Sequence, residues 1–410
     1  MKHILVRYGE LTLKGSNRNF FINKLLQNIK FKLKPFREEV VFIKSHNSLK
    51  IDVLSDNLLD EVLANLQDTF GIYSLSVVDE VENDIDKISQ VALNIAKESP
   101  RGSFKLEVER KDKTFMLTSQ EIKQVVAKNI LFNTDNLTVD VHNPNTKIEI
   151  IVKREKTYIF TSRITALKGL PVGVSGKGLC LLSGGIDSPV ASFLAMKRGM
   201  QVDFLHFMTP PHTTPEALEK VFSLTKKIAR FNQNSFSLYI CDFGLLLQEL
   251  MHIKDESYRI TLMRRMFIRI ANQLSKTINA KALITGEALG QVASQTIESI
   301  GVIDSVSDLP IIRPVVTYDK EEIIKISKAI DTYETSILPF DDVCSMYVPK
   351  NPVTKPRKYR AEQQEEQILW EEILDHTIKN SIKHYIVKEG NIIEGTGEKN
   401  QKGTEVNSKG

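Results

Sequence analysis

The second half of the chain alternates short apolar runs with helical patterns. Each run has the length of a strand, and the residues between runs place their apolar positions at helical spacing. This alternation predicts a parallel sheet covered by helices on both faces. The runs are "GLCLL", "QVDFLHF", "SFSLYI", "KALITG" and "PIIRPVV". Ligands of such sheets bind at the carboxyl ends of the strands, where this sequence has Ser183, His206, Cys241, Gly286 and Arg313.

The first 165 residues mix strand-like and helix-like patterns in the manner of α+β domains. Residues 1–75 and 76–165 are each predicted to form one such domain. Neither contains a Gly-rich phosphate loop, a metal-ligand cluster or a catalytic triad. This half is therefore predicted to be a binding platform.

A Gly- and Pro-rich segment, "TALKGLPVGVSGKG", separates the two halves and predicts a linker over residues 166–178. Its "SGKG" invites comparison with a Walker loop, but Pro171 stands where that motif needs glycine and Gly178 where it needs a hydroxyl. The α/β domain is expected over residues 179–393, with a helix over "EEQILWEEILDHTIKNSIKHYIV". Residues 394–410 are expected to be disordered.

Composition narrows the class of protein. No apolar run approaches the length of a membrane span and no secretory signal is seen, so a cytoplasmic protein without membrane contact is expected. Cys180, Cys241 and Cys344 lack zinc or disulfide spacing and are expected to be thiols. The net charge of +4 is concentrated in residues 1–50, which hold eleven Lys/Arg and three acids. Such a surface suits a phosphate backbone, or is simply a solvated helix face.

The turn after the first apolar run has the composition of an anion-binding loop. Gly184 and Gly185 allow a tight backbone turn, and a helix beginning near Asp187 offers N–H groups and a positive dipole end. Ser183 and Ser188 add hydroxyl donors. Without a P-loop lysine, the turn suits a pyrophosphate leaving group with Mg²⁺, and Asp187 is the carboxylate expected near that metal or the attacked phosphate. The alternative is an ordinary strand-to-helix turn with a serine or aspartate cap.

This segment resembles the SGGxDS pyrophosphatase loop of enzymes that split ATP into AMP and pyrophosphate to adenylate a substrate. Three further stretches narrow the resemblance. They are "RYGELTLKGSNRNFF" at Arg7–Phe21, "TGEALGQVASQT" at Thr285–Thr296 and "CSMYVPKNPVT" at Cys344–Thr354. Together with the loop they make the chain similar to the ThiI family of tRNA sulfurtransferases, which make 4-thiouridine.

The resemblance implies an N-terminal ferredoxin-like domain, a THUMP domain and an ATP pyrophosphatase domain of the adenine nucleotide α-hydrolase-like class. The first two would hold the acceptor end of tRNA, with Lys14, Arg18, Arg110 and Lys111 as RNA-binding residues. The third would bind ATP. Its implied nucleotide contacts are Leu181, Leu182, Ser183, Gly184, Gly185, Asp187, Ser188, His206, Phe207, Arg264, Gly286 and Gln295. Because Arg265 follows Arg264, the sequence leaves the choice between the two arginines open.

Thiolation also needs a sulfur nucleophile. Cys344 lies in a Pro-flanked segment without periodicity, which predicts an exposed loop. A persulfide on this cysteine could deliver the sulfur, so Cys344 and Asp187 are the two expected catalytic residues. Asp341 and Asp342 disfavour a thiolate there, so the more acidic persulfide is the expected working species. Cys180 is expected in the core.

The resemblance also bears on partners. Many family members have a C-terminal rhodanese domain, whereas no cysteine follows Cys344 here. A cysteine desulfurase or a separate rhodanese is therefore the expected persulfide donor, and Cys241 is left open as a core residue or as the thiol that resolves the disulfide. A homodimer is expected.

Three functions remain open from the sequence. The favoured one is an ATP-dependent tRNA sulfurtransferase that makes 4-thiouridine at tRNA position eight. The second is a sulfur donor for the thiazole of thiamine, which would not need the platform. The third is a tRNA-binding module, or another adenylating enzyme of the pyrophosphatase-loop class. The intact loop and Cys344 favour the first.

Overall fold

The computed structural model describes residues 1–44, 48–135, 137–232, 235–340, 347, 349–388 and 390–395. The chain divides into two compact units, Met1–Pro171 and Val172–Gly410. The tail predicted over residues 394–410 lies outside the described residues from residue 396 onward.

The first unit has the mixed order of strands and helices that its sequence predicts. In chain order its elements are β1 (Lys2–Arg7), α1 (Arg18–Lys32), β2 (Val40–Lys44), β3 (Ser48–Val53), α2 (Leu59–Gln67), β4 (Ser74–Val81), α3 (Ile85–Glu98), β5 (Gly102–Arg110), α4 (Ser119–Phe132), β6 (Leu137–Val139), β7 (Thr146–Val152), β8 (Thr157–Phe160) and β9 (Ile164–Thr165). Two short 3-10 turns, Gly9–Leu13 and Gly15–Asn17, connect β1 to α1.

One sheet runs through the whole first unit. Its strand order is β2-β3-β1-β4-β8-β7-β5-β6, and β9 also pairs with β4. The strand β4 belongs to both halves of this sheet, because residues 74–78 pair with β1 and residues 79–81 pair with β8. The sequence pattern does not predict β4. Its inward positions include the buried serines Ser74 and Ser76, which break the apolar pattern expected of a strand.

Helices α3 and α4 pack on this sheet through apolar residues at helical spacing. The buried positions are Ile88, Ala92, Leu93, Ala96, Ile122, Val126 and Ile130. Local signals fix where each helix begins. Asp84 caps α3 by accepting two backbone N–H groups, and Thr118 with Glu121 forms a capping box at α4.

The second unit follows the strand and helix alternation seen in the sequence. Its elements are β10 (Lys177–Leu181), α5 (Asp187–Lys197), β11 (Gln201–Met208), α6 (Pro215–Ala229), β12 (Ser235–Asp242), α7 (Gly244–Leu250), α8 (Arg259–Ile278), β13 (Ala282–Ile284), α9 (Ile297–Asp304), β14 (Ile311–Ile312), α10 (Lys320–Ala329), α11 (Tyr333–Ser336), α12 (Lys358–Glu365), α13 (Trp370–Asn380), β15 (Ile382–Lys388) and β16 (Asn391–Glu394).

The sheet of this unit has the order β14-β13-β10-β11-β12-β15-β16. The predicted parallel sheet is confirmed for β14 through β12. Of the predicted strand "PIIRPVV" only Ile311–Ile312 pairs, since the prolines at 310 and 314 lack the N–H that a ladder needs. The carboxyl ends of β10, β11 and β13 share one edge, which brings Ser183, His206 and Gly286 together.

The single helix predicted over "EEQILWEEILDHTIKNSIKHYIV" is wrong. The helix α13 ends at Asn380, and the residues from Ile382 form β15, which pairs antiparallel with β12. The strand β16 then pairs with β15. Without this hairpin β12 would present an open edge of unpaired backbone groups. Tertiary pairing therefore outweighs the local helical pattern here.

Within the described ranges, no helix is long and apolar enough to cross a membrane.

Candidate active site

The turn between β10 and α5 is held closed by its own two serines. The backbone N–H of Ser183 donates to Ser188 Oγ at 2.9 Å, the two hydroxyl oxygens lie 3.0 Å apart, and the N–H of Gly185 donates to Ser183 Oγ at 3.2 Å. Both hydroxyls therefore stabilise the turn. Ile186, the N-cap residue of α5, makes no side-chain cap hydrogen bond. The first N–H groups of α5 are thus suited to an anion.

A second loop, which follows β13, packs directly against this turn. A Cβ atom at Gly286 would lie 2.5 Å from the backbone nitrogen of Ser188 and 2.7 Å from the carbonyl carbon of Asp187. Contacts that short require something to move, so glycine is what permits the approach. Gly286 therefore has a packing role in addition to the nucleotide contact predicted for it.

Asp187 begins α5 and lies between two polar side chains. Its Oδ1 accepts a hydrogen bond from Lys320 Nζ at 2.8 Å, and its Oδ2 accepts one from Gln291 Nε2 at 3.3 Å. Lys320 begins α10, whose start is fixed by a capping box between Asp319 and Glu322. The turn thus has a lysine after all, supplied by a distant part of the chain. Among the described residues, no group of three or more His, Cys, Asp or Glu is placed to hold a metal ion.

The two loops open into a cavity of about 700 Å³. Its lining includes Leu181, Leu182, Ser183, Gly185, Asp187, Ser188, His206, Phe207, Arg264, Gly286 and Gln295. The remaining predicted contact, Gly184, is buried between two of these residues, Ser183 and Gly185. The structure thus gathers around one cavity residues that lie up to 114 positions apart in the sequence.

One wall of the cavity is apolar and partly aromatic. Phe207 stacks on Phe267 with ring centroids 3.9 Å apart and an interplanar angle of 11°. His206 is buried, and its Nδ1 forms a hydrogen bond of 2.9 Å with the carbonyl oxygen of Leu182. That bond ties the end of β11 to the turn. A flat apolar wall with a few polar groups at its edge is typical of a site for an aromatic ligand.

The structure separates the two arginines between which the sequence could not choose. Arg264 lines the cavity and pairs with the buried carboxylate of Glu287, which also accepts from Arg313 Nε at 2.6 Å. Arg265 is 1% exposed and bonds to Glu365 at 2.7 and 2.9 Å, in the core. Burial acts to raise the pKa of Glu287, but its two arginine partners outweigh burial and lower it. Glu287 therefore remains a carboxylate.

Five cavity residues with polar side chains were not predicted from the sequence, namely Lys220, Thr285, Glu287, Gln291 and Ser294. Glu287 lies inside the quoted "TGEALGQVASQT" stretch, whose motif was the signal that could have found it. Gln291 lies in the same stretch. Lys220, in α6, carried no such signal, because a lysine in an amphipathic helix is ordinarily solvated.

The three cysteines differ in what can be said of them. Cys180 is fully buried in β10, which confirms the core position expected for it. Cys241 is also fully buried, and burial, followed by Asp242, raises the pKa of its thiol. A buried thiol with a raised pKa is a poor nucleophile. Cys344 lies outside the described residues, as do Asp341 and Asp342.

The predicted RNA-binding residues fall at two places in the first unit. Lys14 lies between the two 3-10 turns, with its Nζ 5.2 Å from the ring centre of Phe21, and Arg18 begins α1. Arg110 ends β5 and donates to the carbonyl oxygens of residues 115 and 117, both at 3.0 Å. Arg110 therefore stabilises its own loop. Lys111 pairs with Glu109 at 3.4 Å.

The fold and the site define a class of protein. A mainly parallel sheet, a serine-closed turn at the end of its strand β10 and a cavity beside the following helix are features of nucleotide-binding α/β domains. Three family models match the chain. They are the thiamine biosynthesis protein (ThiI) over residues 173–370, the ThiI ferredoxin-like domain over 3–76 and the THUMP domain over 82–162.

Curated relatives support the same assignment. A probable tRNA sulfurtransferase of Ureaplasma urealyticum is 48% identical over 368 residues, which are 89% of this chain and 93% of that protein. A probable tRNA sulfurtransferase of Oceanobacillus iheyensis is 44% identical, over 87% of this chain and 88% of that protein. The chain belongs to the ThiI family.

Solved structures show the same architecture. The crystal structure of a 4-thiouridine synthetase in complex with RNA and bound ATP has a TM-score of 0.86 and 33% identity, covering 94% of this chain and 99% of that one. PH1313 from Pyrococcus horikoshii has a TM-score of 0.62 and 27% identity, covering 81% of this chain and all of that one.

Proposed function

We propose that this protein is an ATP-dependent tRNA sulfurtransferase, which adenylates the uridine at tRNA position eight and replaces its 4-oxo group with sulfur. One observation carries the proposal. The serine-closed turn, the α5 N-terminus and the apolar wall meet in a single cavity of about 700 Å³. The membership in the ThiI family and the similar synthetase solved with RNA and ATP support it.

ATP fits this cavity with its two ends in different surroundings. We place the adenine against the wall formed by Phe207, and the phosphates at the turn beside the N–H groups of α5. Arg264, held by Glu287, adds a fixed positive charge to the lining. The cavity volume lies in the range of about 300–1,000 Å³ that is usual for small-molecule sites.

Mg²⁺ fits as a companion of the nucleotide. Asp187 is the carboxylate of the turn, and Mg²⁺ is commonly held by one or two carboxylates together with substrate phosphates. We place Asp187 toward such an ion, which would add positive charge at the leaving pyrophosphate. Because Lys320 Nζ lies 2.8 Å from this carboxylate, Lys320 shares that task.

The proposed chemistry has two main steps, adenylation and sulfur transfer, and ends with a thiol exchange. The uridine O4 attacks the α-phosphorus of ATP, and pyrophosphate leaves. The terminal sulfur of a Cys344 persulfide then attacks C4, and AMP leaves with the former O4. A second thiol finally attacks the Cys344 sulfur, which releases 4-thiouridine and leaves a disulfide.

The spacing along the chain supports this role for Cys344. Phe340 lines the cavity, and Cys344 is four residues further along. Four residues span at most about 14 Å. The burial of Cys241 argues against it as the second thiol, so we propose an external thiol for that step.

The remaining partners are proposed on chemical grounds. A cysteine desulfurase, or a separate rhodanese, would charge Cys344 with sulfur, since a thiol cannot form a persulfide without a donor. We further propose a homodimer, the commonest symmetric assembly. Because tRNA and ATP are its substrates, we propose that the protein acts in the cytoplasm.

The first unit supports tRNA binding by its charge. Burial, and then Lys111 and Arg7, lower the pKa of Lys153 to about 8. Burial, and then Arg163, lower the pKa of Arg7 to about 10. Burial is the larger cause for both groups, the neighbouring cations add to it, and Glu109 partly offsets it. A phosphate backbone near these side chains would favour their charged forms. We propose that this cluster joins Lys14, Arg18, Arg110 and Lys111 in holding tRNA.

Two variants test the two steps separately. Asp187→Ala should abolish pyrophosphate release while tRNA affinity stays nearly unchanged, because the turn belongs to the second unit. Cys344→Ser should still release pyrophosphate with tRNA bound but yield no 4-thiouridine, since a hydroxyl cannot hold a persulfide. The assay follows labelled sulfur from cysteine, through a purified desulfurase, into protein and tRNA. Full product formation by Cys344→Ser would make the persulfide route wrong.

A further inference from the structure

A buried lysine lies between the nucleotide cavity and the segment that leads to Cys344. Lys220, in α6, is 6% exposed and lines the cavity. Its Nζ donates to the carbonyl oxygen of Leu338 at 2.8 Å and to that of Phe340 at 3.4 Å. An ammonium group this buried is costly unless its donors are satisfied, so these bonds hold both partners in place.

The segment that Lys220 binds has little other regular structure to fix it. The helix α11 ends at Ser336, and Leu338, Pro339 and Phe340 follow as cavity-lining residues. Pro339 has no N–H to donate. Lys220 reaches the carbonyl groups of both residues that flank it, and the carbonyl oxygen of Leu338 also accepts the N–H of Phe340 at 2.8 Å.

A second lysine on the same helix contacts the same segment further from the cavity. Lys227 lies seven residues after Lys220, two helical turns on and on the same face of α6. It pairs with Asp331 at 3.2 Å, where the carboxylate is 64% exposed. The helix α6 thus contacts residues 331–340 twice, through an exposed ion pair that contributes little and through a buried lysine at the cavity.

We propose that Lys220 is a positioning residue for sulfur transfer. It holds the backbone of Leu338 and Phe340 against the nucleotide cavity and so sets where the chain departs toward Cys344, four residues on. The inference rests on the proposed role of Cys344 as sulfur carrier. On this account the loss of Lys220 slows the second chemical step more than the attack of uridine on ATP, because its Nζ is bonded to the two backbone carbonyl groups.

The test compares the two steps in one sample of full-length protein. Under single-turnover conditions, with tRNA, ATP and a purified desulfurase with cysteine, both pyrophosphate and 4-thiouridine are followed with time. At an ATP concentration that saturates each variant, Lys220→Met should slow 4-thiouridine formation by at least about tenfold and change pyrophosphate release by less than about threefold. The ratio of the two products does not depend on the fraction of folded enzyme, so a mere loss of stability would not move it.

Lys227→Met is the matched control. It removes a lysine from the same face of α6 that contacts the same segment, but away from the cavity. Its ratio of 4-thiouridine to pyrophosphate should equal that of the unaltered protein. Should Lys220→Met fail to fold, Lys220→Gln, whose amide is too short to reach both carbonyl groups, is measured in the same way. An equal loss of both products, or no loss of either, would overturn the inference.

The Cys344→Ser variant, run alongside, separates this inference from the proposed function. If Cys344→Ser loses 4-thiouridine and Lys220→Met keeps it, only the role of Lys220 is wrong. If Cys344→Ser keeps 4-thiouridine, the sulfur route itself is wrong, and with it the role of Lys220.

Discussion

A single methyl group at Gly286 should force apart the two loops that form the cavity. In Gly286→Ala, the new Cβ would lie 2.5 Å from Ser188 N, 2.7 Å from the carbonyl carbon of Asp187 and 2.8 Å from Ser188 Cα. Comfortable contacts are about 3.5–4.0 Å, so the loops must separate by roughly 1 Å. All three neighbours are backbone atoms and cannot turn away.

The expected cost has two parts. Overpacking of this kind destabilises by about 1–3 kcal/mol, which in a unit of this size lowers Tm by about 2–12 °C. A displacement of roughly 1 Å at a catalytic site also costs up to about 100-fold in rate. We therefore expect a lower Tm together with a large fall in tRNA-dependent pyrophosphate release.

The assay pairs thermal unfolding with pyrophosphate release, and Gly301→Ala is the control. Gly301 lies in α9, and no heavy atom outside its own neighbourhood lies within 4 Å of a Cβ built there. Its replacement should stabilise the helix by about 0.5–1 kcal/mol and leave activity unchanged. A Gly286→Ala variant with unaltered Tm and unaltered pyrophosphate release would refute the close approach described for the two loops.

Three further outcomes are expected. In the Lys14→Ala, Arg18→Ala double variant, the negative slope of log K for tRNA binding against log salt should become shallower by about 1–2, as measured by filter binding. An unchanged slope would mean that neither residue contacts a phosphate. Cys180→Ser and Cys241→Ser each place a hydroxyl in the core and should lower the free energy of unfolding by about 1–3 kcal/mol, yet keep multiple-turnover thiolation. Loss of turnover in Cys241→Ser at an unchanged Tm would instead identify Cys241 as the second thiol. Because the pKa of Lys153 falls from 10.5 to about 8 on folding, the unfolded chain binds more protons between these values. This group's contribution to stability should therefore rise from pH 8 to 10.5, and Lys153→Met should remove that rise in thermal unfolding across this range.

The turn could be predicted because its determinants are local. Ser183 and Ser188 are five positions apart, and a strand, two glycines and a helix start lie in one stretch. Lys320 could not be predicted, since it lies 133 residues from Asp187 and no local pattern marks the pairing. The choice between Arg264 and Arg265 was equally inaccessible. It depends on how α8 is rotated against Glu287 and Glu365, which only packing decides.

The errors in secondary structure have the same origin. The segment from Ile382 contains apolar residues that suit either a helix or a strand, and only the open edge of β12 makes the strand preferable. The strand β4 was not predicted because the partners of its buried Ser76 are remote in sequence. Ser76 Oγ donates to the carbonyl oxygen of Ser162 at 2.8 Å and accepts from Arg7 at 3.0 Å.

Because the strand β4 is shared by both halves of its sheet, the first unit is expected to behave as one evolutionary module. The domain boundary predicted between residues 75 and 76 falls inside this strand, and its two ends serve different neighbours, β1 and β8. A gene fusion or recombination at that point would leave each half with a truncated strand and an exposed sheet edge, which invites aggregation. The two halves are therefore expected to be inherited, lost and transplanted together. A segment that transfers this platform to another enzyme should therefore end after residue 171 and should not be divided within β4.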